Sequence, residues 1–394
     1  MYTLDKKILQ QIEIYYDRCR EVADYLTDNP ETGGNEKKAV EKITAFLAEE
    51  GYEIQRNIYD VDNSFLAVRK DRAQENGPKA VIMCEYDALP DIGHACGHSI
   101  SCGTSLLAAL AFNAAYPDSP IRIDIMGTPA EEYPGGKVFL TDAGAFDDYE
   151  FAAMAHMFYA NSPVFNVLAC TDRYITFKGK NSHASANPTD GRNALNAARI
   201  FMTAMDMWRQ HLPTTSQFHG VIEKGGELPS IVPDEITLNY YFRAVNRPDL
   251  DDLIEKAIDC MKGAALCTGT SFEVKQQYPT YYDIYQNEVA MDIVDEIFQG
   301  MGQASVRFDK PMGSSDAGNV DQRIPTFHPL VDVSGGKYIP LHDPAFQALM
   351  KEETGYQGLR NGGKLIASLV HRLLFEEELL ANVQKAHKAY RGIE

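Results

Sequence analysis

A chain of 394 residues, 44% hydrophobic and 24% charged, is long enough to bury a large core and to form more than one domain. Its formal charge of −19 excludes the basic surface that nucleic acids require and disfavours an anionic membrane face. The seven cysteines (19, 84, 96, 102, 170, 260 and 267) are scattered and form no CxxC pair, which argues against a disulfide framework and for a reducing compartment. Residues 1 to 26 carry charges throughout and lack the apolar core of a signal peptide. No stretch reaches the apolar length of a membrane span, so a cytoplasmic location is expected.

Residues 1 to 50 read as two amphipathic helices broken at "NPETGG", the second running through "EKKAVEKITAFLAEEG". Strand patterns follow at "YEIQRNIY", "SFLAVRK" and "KAVIMCEYD". "SLLAALAFNAA" then reads as a buried helix, and "IRIDIMGTPAEE" as a buried strand ending in a loop. Continuously apolar strands of this kind indicate a sheet covered by helices on both faces. From about residue 171 the texture changes: strand "DRYITFKGK", helix "GRNALNAARIFMTAMDMWRQHL", strands "QFHGVIEKGG" and "EITLNYYFRA", helix "PDLDDLIEKAIDCMKGAALCTG" and strand "SFEVKQQYPTYY". That β-α-β-β-α-β order is a ferredoxin-like unit, complete within residues 171–282 and thus an insertion in a larger α/β domain. Residues 1–170 and 283–394 then form the two parts of that domain, the second part being helices plus one strand at "PTFHPLVDV".

The chemistry concentrates in "EYDALPDIGHACGHSISCG", residues 85 to 103. Cys96 and His98 are separated only by Gly97, so one tight turn aims a thiolate and an imidazole, both good ligands for a borderline-soft divalent ion, at one point. Alone, C-G-H is a weak signal, and helix-start packing explains it as well. Its company changes the reading. "GTPAEEYPGG" puts Glu131 and Glu132 side by side at a strand's end, where one carboxylate can bind metal and the other can reach a water. The apolar run "FAAMAHM" ends in His156, and "IPLHDPAF" places His342 on a proline-flanked turn. Each histidine alone is an ordinary structural residue; ligand types at several strand ends of one domain point to metal.

Taken together, these features resemble the M20 metallopeptidase and amidohydrolase family, in the branch of aminoacylase-like, aminobenzoyl-glutamate-hydrolase-like and indoleacetyl-amino-acid-hydrolase-like enzymes. The matching residues are D-A-L-P at 87–90, H-A-C-G-H at 94–98, Glu131-Glu132, His156 and His342, with "FKGKNSHASANPTDGRNAL" in the small unit. The resemblance implies a di-metal aminopeptidase-like catalytic domain with an inserted lid, and two divalent ions, Zn or Mn, per chain. It implies Cys96 as a bridging ligand, Glu132 and His342 completing one metal site, and His98 and His156 the other. Glu131 would be the general base and Asp87 the residue that orients a ligand. His183 of the lid would approach the reacting carbonyl, often from the partner of a homodimer joined through the lids; otherwise it is a solvent-facing loop histidine. Residual positive charge at such a centre favours an oxyanion and lowers the pKa of water. The implied reaction is hydrolysis of the amide bond of a small N-acyl amino acid or dipeptide-like substrate.

Two positions depart from the family pattern. Ser99 stands where Asp or Asn is usual, and Ser230, in "GGELPSIVPDE", stands where an asparagine is common, which removes an amide that could hold substrate. Arg243 is a candidate for a substrate carboxylate, although a strand arginine is more often a surface residue. The stretch "MGSSDAGNV", with Gly313 to Asp316, resembles a substrate-facing loop in which Gly313 and Ser314 are substrate-binding candidates; the same segment reads equally as a helix cap at Ser315. Two other classes stay open at this stage. A cysteine hydrolase using Cys96 and His98 leaves Glu131, Glu132 and His342 without a role. A metal-binding homologue without catalysis needs no general base. A nucleotide-dependent enzyme is disfavoured, because neither a strand-linked G-x-G-x-x-G nor a P-loop is present.

Overall fold

The computed structural model describes residues 2–392. The chain divides into two compact units, one formed by residues up to Asn166 and again from Ile284 onward, the other by Val167–Asp283. In chain order the first unit begins with helices α1 (Lys6–Asp28) and α2 (Lys37–Glu49), then strands β1 (Tyr52–Arg56), β2 (Phe65–Arg69) and β3 (Lys79–Cys84). Helix α3 (His98–Ala115), β4 (Arg122–Gly127), α4 (Gly136–Asp142), β5 (Tyr149–Ala153) and β6 (His156–Phe158) follow. The second unit carries β7 (Ala169–Lys178), α5 (Ala194–Trp208), β8 (Gln217–Lys224), β9 (Glu235–Ala244), α6 (Arg247–Thr268) and β10 (Ser271–Lys275). The first unit resumes with α7 (Glu288–Gly300), α8 (Ala317–Asp321), β11 (Thr326–Phe327), β12 (Leu330–Asp332), α9 (Pro344–Leu349), α10 (Glu353–Phe375) and α11 (Leu379–Arg391).

Asp5 starts α1 by accepting the Lys7 and Ile8 amides, which satisfies donors a helix start leaves open. The first unit's main sheet has the order β1-β2-β4-β3-β5-β11. β3 is parallel to both β4 and β5, whereas β1–β2 and β2–β4 are antiparallel, so the sheet is mixed. Helix α3 is buried from His98 to Asn113, which explains its lack of a polar stripe. Gly362 and Gly363 let α10 press against Thr104 and Leu107 of α3, because a Cβ at either position would overlap those side chains. The second unit's sheet has the order β10-β7-β9-β8, all antiparallel, with α5 and α6 packed through Phe201, Met205, Leu253 and Met261. This is the expected ferredoxin-like unit.

Three element boundaries differ from the sequence reading. The strand expected at "PTFHPLVDV" is two short strands in different sheets: β11 joins β5, and β12 joins β6. Pro329 has no amide to donate, and its carbonyl instead accepts the His156 amide at 2.9 Å. For the same reason His156 opens β6 rather than ending β5. The last strand of the inserted unit stops at Lys275, because the Gln277 and Tyr278 amides turn onto the carboxylate of Asp172.

Candidate metal centre

The parallel strands β4, β3 and β5 lie side by side, and the chain leaving each one delivers ligand-type residues to the same end of the sheet. After β3 come Glu85 and Asp87, then Cys96 and His98 at the start of α3. After β4 come Glu131 and Glu132, and just beyond β5 comes His156. Gly97 makes the C-G-H turn possible: its φ is +90°, and a Cβ there would stand 2.6 Å from Met157 Cβ, next to His156. His342 reaches the cluster from the second part of the chain. Its φ of +63° is unusual for a side-chain-bearing residue, and its amide is held by the Ala95 carbonyl at 3.0 Å.

Asp87 holds two members in place. Its Oδ1 lies 3.0 Å from His98 Nδ1, and its Oδ2 accepts the Glu132 amide at 2.9 Å. His156 Nδ1 is 2.8 Å from the Met157 carbonyl. Both rings therefore have Nδ1 engaged with acceptors and present Nε2 to the centre. His156 Nε2 is 3.4 Å from Cys96 Sγ. His98 Nε2 is 3.9 Å from Glu131 Oε2, and His342 Nε2 is 3.5 Å from Glu132 Oε1.

Among the described residues, three trios have ligand atoms within 4.8 Å of one another: Cys96, His98 and His156; Cys96, Glu132 and His342; His98, Glu131 and Glu132. Cys96 belongs to two of them. The buried His98 Nε2 has no hydrogen-bond partner, an expensive arrangement unless something else satisfies it. The titration behaviour agrees. Burial, then the Glu132 charge, pushes the Cys96 thiol well up. Burial, then the Asp316, Glu132 and Glu85 carboxylates, pushes Glu131 well up. Burial opposes a charged His98, yet Glu85, Cys96 and Asp87 hold it well above the usual imidazole range. Burial would also raise Glu132, but the His342 hydrogen bond and the His98 charge bring it down to about 2. Burial brings His156 down to about 4. A buried set of thiol, imidazole and carboxyl groups that holds protons at its own centre is a donor set divalent ions fit, by displacing those protons.

The other expected site residues are distributed as follows. Gly313 lies beside Phe165, whose ring is 5.2 Å from that of His156, and Ser314 is half-buried in the same loop. Ser315 Oγ accepts the Ala317 amide at 3.3 Å at the start of α8. His183, Ser230 and Arg243 belong to the second unit. His183 and Ser230 are exposed on adjoining segments, the Ser230 carbonyl accepting the Ala184 amide at 2.9 Å. Arg243 lies on β9 over the Tyr241 ring at 5.6 Å. The unusual Ser99 is buried and shares a 2.8 Å hydrogen bond with Thr27 of α1, an inter-helix contact.

Sequence reasoning missed the surroundings of this centre. Glu85, Lys137 and Asp316 form a fully buried ion cluster next to His98. Buried Glu36, raised to about 7 by burial, accepts the Ala130 amide at 2.7 Å and so braces the turn into Glu131. His328 packs edge-on to His156, ring centres 5.9 Å apart. Asp316 was read only as the end of the loop from Gly313, and no spacing marked the others: a lysine after two glycines reads as a solvated helix start.

A model of the peptidase dimerisation domain matches residues 172–266. The Xaa-Arg dipeptidase of Mus musculus is 31% identical over 400 aligned residues, covering 98% of this chain and 92% of that protein. A p-aminobenzoyl-glutamate hydrolase chain of Escherichia coli K12 is 28% identical, covering 67% of this chain and 58% of its own length. Among solved structures, a dinuclear metal-binding M20 peptidase from Bacillus subtilis superposes with a TM-score of 0.71 at 18% identity, over 92% of this chain and 99% of the other, a likeness of fold. With that fold, and a relative matched along nearly the whole length, the chain belongs to the M20 family of metallopeptidases and amidohydrolases.

Proposed function

We propose that this protein is a metal-dependent amidohydrolase cleaving the amide bond of a small N-acyl amino acid or dipeptide-like substrate. The observation that carries this reading is the pair of trios sharing Cys96, with Glu131 standing beside them. Cys96, Glu132 and His342 would hold one divalent ion, and Cys96, His98 and His156 a second, Zn or Mn. Ions held there supply Lewis acidity and lower the pKa of water toward neutrality. Glu131 takes the proton from the attacking water and returns it to the leaving amine, as a carboxylate that is not a ligand can. Asp87 keeps the His98 ring and the Glu132 backbone in register during this exchange. The Mus musculus relative's name makes dipeptides with a C-terminal arginine the first substrates to test. Incubation with a panel of such dipeptides and N-acyl amino acids should release free amine; a metal-loaded protein that cleaves none of them contradicts the proposal.

The lid adds a second part to the proposal: a homodimer joined through Val167–Asp283, with Gly313, Ser314, Ser230 and Arg243 contacting substrate. The match of 172–266 to a dimerisation domain supports the dimer. His183 Nδ1 accepts the Ala186 amide at 3.1 Å, so the neutral ring carries its proton on Nε2, the donor needed to stabilise an oxyanion. We place His183 in the partner's active site. Mixing His183→Ala with Glu131→Gln protein after reversible dissociation should then recover part of the wild-type activity, because one site of each mixed dimer regains both groups. A mixed dimer that forms and stays inactive overturns the shared site. The scattered cysteines also favour a reducing, cytoplasmic location.

A further inference from the structure

Beneath the metal-ligand cluster lie three charged side chains with no exposed surface: Glu85, Lys137 and Asp316. They come from three separate segments, the end of β3, the start of α4 and the loop entering α8. The Lys137 ammonium donates to Glu85 Oε2 at 3.0 Å and to Asp316 Oδ1 at 2.8 Å. The Lys137 amide donates to Asp316 Oδ2 at 2.9 Å, so backbone and side chain grip both oxygens of one carboxylate. On the other side, Glu85 Oε1 is 3.6 Å from His98 Nε2, the same atom that faces Glu131. A continuous line of ionisable groups thus runs from Asp316 through Lys137, Glu85 and His98 to Glu131.

Burying an ammonium is costly unless it is fully paired, and burying two neighbouring carboxylates without a cation costs more. A core apolar residue at position 137 would satisfy packing alone. The cation makes physical sense if the two carboxylates are wanted there with their charges fixed in place. We propose that Lys137 is a positioning residue for the hydrolytic centre: it clamps Glu85 against His98 and fixes both oxygens of Asp316, so that the acid/base carboxyl keeps its place among several buried acids. This rests on the amidohydrolase reading above and adds to it a residue that touches neither substrate nor ligand atoms of the metals.

The test compares Lys137→Met with the charge-balanced double variant Lys137→Met/Asp316→Asn. The single variant leaves two buried carboxylates without their cation; the double restores the native net charge, and the amide oxygen it introduces at position 316 can still accept the residue 137 backbone amide. In the metal-free protein, melting should fall by about 10 °C in the single variant and recover at least half of that in the double. In the Zn-loaded protein, kcat should fall about 100-fold in the single variant with KM within about threefold, and rise at least tenfold from there in the double. A merely structural lysine predicts recovery of melting in the double variant with kcat near wild type in both, so the kcat comparison separates the two roles. Native melting and kcat in Lys137→Met, or a double variant no better than the single in either measurement, overturns the proposal. If Lys137→Met does not fold, the double variant must fold and melt within about 5 °C of wild type. A wild-type protein that cleaves no substrate sinks the amidohydrolase reading and, with it, the positioning of Glu131; the melting comparison then still decides whether Lys137 bridges the two carboxylates.

Discussion

Glu131→Gln should lower turnover by roughly 10²- to 10⁴-fold, the range for losing a general acid/base, while metal content stays at the wild-type level. The amide keeps the size of the carboxyl group but accepts no proton, and neither proposed ligand set includes Glu131. Its neighbour should behave in the opposite way. Glu132→Gln removes an oxygen ligand that sits 3.5 Å from His342 Nε2, and metal per chain, read by elemental analysis, should fall. Loss of metal in the Glu131 variant, or full metal in both, would show that the two carboxylate roles are misassigned.

Cys96→Ala should have the broadest effect on the protein itself. The thiol is the one group shared by the Cys96, His98, His156 trio and the Cys96, Glu132, His342 trio, so its loss weakens both ion sites together. Metal content should drop for both ions, and the melting temperature in excess metal should fall by roughly 5–10 °C, the linkage expected when ligand at about a hundred times its Kd no longer binds. Metal should also slow alkylation of Cys96, and chelation should speed it. Rapid alkylation of Cys96 in the metal-loaded protein would instead mark it as a free nucleophile.

The cluster was legible in sequence because ligand-type side chains are chemically distinctive and sit at strand ends. Cys96 and His98 are fixed by one glycine, and Glu131-Glu132 by a Pro-Gly-Gly that suits no solvated helix. The inserted unit was legible because its helices and strands alternate within one short segment. What escaped notice was everything defined by tertiary burial. Glu85 and Asp316 lie 52 and 179 residues from Lys137 along the chain, and only folding turns the three into one ion cluster. The break between β11 and β12 escaped because the segment's apolar character carries across Pro329, while its amide pairing does not. Ser99 stood out only as a departure from the usual Asp or Asn; its hydroxyl meets that of Thr27 across two helices, a contact only folding creates.

The most direct test of the account is a metal titration of amide hydrolysis. The protein is stripped with a chelator, Zn or Mn is returned in steps, and amine release from a C-terminal-arginine dipeptide and an N-acyl amino acid is followed beside metal bound per chain. The account predicts background hydrolysis in the stripped protein and recovery that climbs as bound metal approaches two ions per chain. A stripped protein, shown to contain no metal, that hydrolyses either substrate at the untreated rate would contradict it.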